Sequence, residues 1–87
     1  MFLHLGHNLS VRARDVIAIH DFALFAPGGV ARSFLEREQA AGRVRDVAGG
    51  KPPKALVITS HEIYLSAISP LTLLRRTRSS YRFASEK

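Results

Sequence analysis

No cysteine occurs in the 87 residues, which removes both a disulfide framework and any thiolate metal site. Aromatic residues make up only 8% of the chain. With Tyr64, Tyr81 and Phe83 as the candidate stackers, single-strand binding by stacked bases is disfavoured. No apolar run approaches the roughly 20 residues needed to span a bilayer. The N-terminus has no basic n-region, apolar h-region or cleavage site, so the expected location is the cytoplasm. Acidic side chains are also scarce: seven Asp+Glu face thirteen Lys+Arg, giving a net charge of +6 and a pI near 10.8. The excess is uneven. Residues 1–43 hold five basic and four acidic side chains, residues 44–87 eight and three. Such asymmetry points to a polyanionic partner, nucleic acid first, then an anionic membrane or an acidic protein.

A chain this short forms one small domain and buries about 60–65% of the surface its unfolded form exposes. Hydrophobic residues at 46% supply a core and leave apolar surface for self-association. In the opening segment, Leu3 and Leu5 alternate with Phe2 and His4, and Leu9 and Val11 with Ser10 and Arg12. That is a half-buried strand pattern, and Gly6-His7-Asn8 makes it a hairpin. The unbroken run Val16–Ile19 reads as a central strand covered on both faces. Pro27-Gly28-Gly29 ends regular structure. The helical spacing of "VARSFLEREQAAG" predicts Val30, Ala31, Phe34, Leu35 and Ala41 on one face, with Gly42 in the left-handed position that ends a helix. Val44–Val47 and Ala55–Thr59 are expected strands, and Ser60-His61-Glu62 turns into a further strand over Ile63–Ala67. Ser69-Pro70 is a helix start, an N-cap oxygen followed by proline where no amide is needed. The last helix is expected over "PLTLLRRTRS", with Leu71, Leu74 and Leu73 inward. This order predicts an α+β fold with two helices and a small, mostly antiparallel sheet.

In "AGGKPPKALVIT", Gly49-Gly50-Lys51 raises the idea of a phosphate loop, but the spacing refutes it. Lys51 is followed by Pro52 rather than Ser or Thr, and the next element is a strand. Proline also deletes an amide that a phosphate nest needs. His4, His7, His20 and His61 do not form a metal-ligand pattern, since strand residues three apart point to opposite faces. No nucleophile elbow is present, and no enzyme, cofactor or small-molecule substrate is expected. The basic residues carry more information. Arg75, Arg76 and Arg78 lie in the last helix, with Arg82 after them, more than the helix dipole needs. Arg12 and Arg14 are two apart and expected on one face of a strand. Lys51 and Lys54 form a third set. Three sets on separate segments fit a duplex-backbone surface assembled in space.

"FLHLG", "VRARDVIAIHDF", "SFLEREQ", "PKALVIT" and "IYLSAISPLTLLRR" together resemble the bacterial extracellular matrix regulatory family of RemA/RemB type. The likeness is strongest to the RemB branch, through the HLG opening, Arg14-Asp15 and Asp21-Phe22. It covers residues 1–78 as a single domain, leaving 79–87 as an expected flexible polar tail. The resemblance implies a LytTR-like fold, a homo-oligomeric ring, and a DNA-binding regulator of matrix and biofilm genes. It also implies where contacts fall. Lys51 and Pro52 stand where the RemA branch carries an Arg-Arg pair, Lys54 and Arg76 match basic positions, and Asp15 replaces an early-strand arginine. Lysine meets a phosphate as a point charge without the bidentate fork. The expected duplex contacts are Lys51, Lys54 and Arg76, then Arg75, Arg78, Arg12 and Arg14. Duplex DNA and further copies of the chain are the expected partners, with no membrane partner. The competing expectation is a ring-forming adaptor that binds a protein and has lost DNA binding.

Overall fold

The computed structural model describes residues 1–85, with side chains as far as Thr77. Strands β1 (Phe2–Gly6) and β2 (Leu9–Arg12) form an antiparallel hairpin. His7 and Asn8 at its tip have φ of 47° and 62°, the paired left-handed values that match the twist of a tight hairpin. Gly6 is required there. Its φ is 128°, and a Cβ would lie 2.7 Å from the Val47 carbonyl oxygen.

A four-stranded sheet of order β3-β5-β6-β4 lies at the centre, built from β3 (Val16–Asp21), β4 (Val44–Asp46), β5 (Ala55–Thr59) and β6 (Ile63–Ser66). β5 pairs antiparallel with β3 and β6, whereas β4 runs parallel to β6. The fold is α+β and mostly antiparallel as expected; the four-stranded sheet alone is mixed, because α1 (Arg32–Ala40) carries the chain back across one face before β4. Alternation along β5 divides the core. Ala55 and Val57 pack with Leu3, Leu5, Tyr64 and Leu73 on one face, and Leu56 packs with Phe25, Leu35, Ile63 and Leu65 on the other. The hairpin and α2 (Pro70–Ser85) therefore cover one face. α1 and the 3₁₀ turn Phe22–Phe25 cover the opposite one.

α1 ends in a Schellman motif: the Gly42 N–H donates to the Gln39 carbonyl at 3.0 Å and the Arg43 N–H to the Glu38 carbonyl at 3.0 Å. Gly42 takes the left-handed φ of 75°, as its position predicts. The Ser69 side chain caps α2 by accepting from the Thr72 N–H at 3.2 Å. Ser66 joins hairpin to sheet: its buried hydroxyl donates to the Leu5 carbonyl at 2.6 Å and accepts from the Ile68 N–H at 3.1 Å.

Four expectations about faces are corrected. β3 is an edge strand and Ile17 is 68% exposed, because Ile17 is the unpaired residue of a register shift between Val16 and Ala18. Val30 precedes α1 and is exposed, as is Ala41 at its C-cap; the buried stripe is Leu35 with Phe34 and Ala31 beside it. In α2 it is Leu73 that is fully buried, and Leu71 and Leu74 that face outward. One inward leucine suffices because the hairpin supplies the rest of that layer. Arg12 ends β2 and Arg14 lies in the 3₁₀ turn Ala13–Asp15, so strand alternation does not relate the two. Arg78, Arg82 and the expected tail lie outside the described side chains.

Candidate nucleic-acid interface

The loop from Val47 to Lys54 is built to hold two cations outward. Val47 and Ala48 are buried, and the Asp46 carboxylate accepts from the Ala48 N–H at 2.9 Å. Gly49 and Gly50 then adopt φ of 68° and 83°, values that other residues take at a cost, and the Lys51 N–H closes the turn on the Ala48 carbonyl at 3.3 Å. The Lys54 backbone is fixed on both sides. Its N–H donates to the Ser66 carbonyl at 2.8 Å and its carbonyl accepts from the Phe22 N–H at 3.0 Å. The side chains of Lys51 and Lys54 remain exposed.

Arg12 and Arg14 occupy the other end of the sheet. Ala55 pairs with Asp21 beside Lys54, whereas Thr59 pairs with Val16 beside Arg14. At about 3.3 Å per residue the strand between them separates the two sets by at least ~13 Å. α2 follows Ser66 and packs on β1 and β3. Arg76 lies about 9 Å along the axis from Pro70. Arg75 and Arg76 are exposed on α2, a set distinct in the chain from Lys51 with Lys54 and from Arg12 with Arg14.

Three other arginines are already neutralised. Arg32 pairs with Glu36 at 3.3 Å, Arg43 with Glu38 at 2.8 Å, and Arg45 with Glu62 at 3.4 Å. The Arg43 hydrogen bond holds the Glu38 carboxyl below its ordinary range, and the same contact raises the Arg43 guanidinium. Glu62 also accepts from the Tyr64 hydroxyl at 3.2 Å. Burial, then this bond, raises the Tyr64 phenol. Among the described residues, no carboxylate lies within ion-pair distance of Arg12, Arg14, Lys51, Lys54, Arg75 or Arg76. Those six, together with Arg37 on α1, are exposed and outside any ion pair among the described residues.

The sequence reading missed how the acids are distributed. No Asp or Glu occurs over residues 1–14 or 63–85, the segments that form the hairpin, β6 and α2. Ladder pairing also sets Arg12 opposite Phe2 on the outward face of the hairpin. The signal was present in the spacing of the seven acidic residues, but only the fold shows that acid-free segments share a layer. His4, His7 and His61 are exposed, and His20 packs its ring against Phe25 at 5.8 Å. Among the described residues no group of three metal-ligating side chains converges.

Compared with known proteins, residues 2–77 match the RemA-like family, described as extracellular matrix regulatory protein A-like. The chain is also similar to extracellular matrix regulatory protein B of Bacillus subtilis (strain 168). The two are 33% identical over 86 residues, covering 98% of this chain and 100% of the relative.

Proposed function

The chain belongs to the RemA-like family of extracellular matrix regulatory proteins, and on that premise we propose that it regulates transcription by binding duplex DNA through backbone phosphates. The observation that carries this reading is the set of six exposed cations outside α1 without intramolecular counter-charges, beside three arginines that have them. Lys51, Lys54, Arg12, Arg14, Arg75 and Arg76 neutralise phosphates and do not read bases. Arg78 belongs to the proposed set by sequence alone. The proposal extends to assembly: a LytTR-like protomer forms a homo-oligomeric ring in the cytoplasm and controls matrix and biofilm genes. Repeating a weak patch around a ring raises affinity through multivalency. Two features favour self-association, the open edge of β3 and the exposed Ile17 on it. No catalytic role is proposed.

Lys51-Pro52 in place of an arginine pair favours the second reading, an adaptor that binds protein and not DNA. One titration separates them. With four phosphate contacts per bound unit, log K for duplex falls with log salt at a slope of about −3.6. Lys51→Glu with Lys54→Glu weakens binding and flattens that slope. An adaptor shows no duplex binding before any substitution. Light-scattering mass at low and high salt, with and without duplex, reports the assembly state in the same samples.

A further inference from the structure

Every carboxylate whose surroundings are described is already engaged. Asp21 accepts from the Ala23 N–H and Asp46 from the Ala48 N–H. Glu36, Glu38 and Glu62 pair with Arg32, Arg43 and Arg45, and Asp15 lies 3.9 Å from His61. None of them sits in the hairpin or α2. The outward face of that layer instead combines Arg12 and Arg75 with apolar side chains left in water, and Arg76, three residues from the buried Leu73, is exposed at its margin. Phe2 is 66% exposed, Leu71 57% and Leu74 44%.

Phosphate binding accounts for the cations but not for the apolar residues, which gain nothing from a sugar–phosphate backbone. A second copy laid face to face sets arginine against arginine. A copy presenting another face brings carboxylates of which three are already paired with arginine and two already accept from backbone amides. The side chains project from the outside of an outer layer, which suits a flat partner. A flat surface that is anionic at its boundary and apolar just beneath is a bilayer containing anionic lipid.

We propose that the outer face of the hairpin–α2 layer docks on anionic lipid bilayers. Phe2, Leu71 and Leu74 enter the headgroup boundary, and Arg12, Arg75 and Arg76 hold the lipid charges around them. This revises the expectation that membranes play no part, and it stands independently of the DNA reading. Because the arginines are shared, duplex and bilayer compete for one face, so lipid occupancy would control how much of the protein is available to DNA.

The test is co-sedimentation of the full chain with phosphatidylcholine vesicles, with and without phosphatidylglycerol. Binding is expected to be at least about tenfold tighter on the anionic vesicles, from roughly fivefold per engaged arginine. Leu71→Ser with Leu74→Ser is expected to weaken it about tenfold or more through lost apolar burial, with duplex affinity unchanged. Phe2→Ser is the independent check, and circular dichroism verifies folding of each variant. Failure to bind anionic vesicles overturns the proposal. So does vesicle binding that neither apolar variant alters, which is charge adsorption alone. A fall in light-scattering mass on Leu71→Ser with Leu74→Ser also overturns it, since another copy then covers the face.

Discussion

Where α1 covers the sheet, arginine and glutamate close on one another, Arg32 on Glu36 and Arg43 on Glu38. Across the sheet, the hairpin and α2 carry Arg12, Arg75 and Arg76 with no acidic residue in either element. The same side chain has two fates in one small domain. Exposed ion pairs add little stability, so the pairing around α1 is better understood as lowering the charge of that surface, where Arg37 stays unpaired. The opposite layer keeps its charge. A net charge of +6 therefore understates how polarised the molecule is, since the pairs around α1 contribute nothing to it.

The comparison is broken most severely by detaching α2. Leu73→Ala removes the fully buried leucine of that helix and should cost about 2–5 kcal/mol in denaturant unfolding. Leu71→Ala, one turn-face away and exposed, should stay within about 0.5 kcal/mol. Equal losses at the two positions would mean that the layers are assigned wrongly. A smaller effect sharpens the charge contrast. Arg75→Ser with Arg76→Ser should lower the salt slope of duplex binding by about 1.8, at 0.9 per phosphate contact, while Arg32→Ser with Arg43→Ser leaves the slope unchanged. The smallest effect tests the boundary between the layers at Tyr64. Its phenol is raised in the folded state, so its contribution is intact below the ordinary tyrosine range. That contribution is lost as pH climbs through the raised value. Alkaline unfolding curves should show this loss, and Tyr64→Phe should remove that part of the pH dependence.

Much of the fold was legible in the sequence because local signals and tertiary structure agree. Leu3 and Leu5 alternate inward as the pattern requires, Gly42 ends α1, and Ser69 caps α2. Errors arose where a face depends on what arrives from elsewhere in the chain. Val16–Ile19 is apolar enough for a central strand, yet nothing in those residues announces the shift that expels Ile17. Leu71, Leu73 and Leu74 are chemically equivalent, and only the docking of β1 and β3 against α2 selects Leu73. For the site, the residue types were visible as basic sets in the sequence. Their division between the two ends of β5 follows from strand pairing, and their lack of counter-charges from where six carboxylates fold.

Ser66 carries a consequence for the order of events in folding. Its hydroxyl reaches the Leu5 carbonyl across 61 residues of sequence, while the β5–β6 turn and the Schellman motif of α1 are local. Contacts of large separation carry the greatest loop-closure entropy and form late. On the ribosome the hairpin emerges before the strands that cover it, with Leu3 and Leu5 on an inward face that waits for Val47 and for Ala55 and Val57 of β5. The hairpin is thus synthesised well before it is seated, and through that interval its bare apolar face is what a chaperone would recognise.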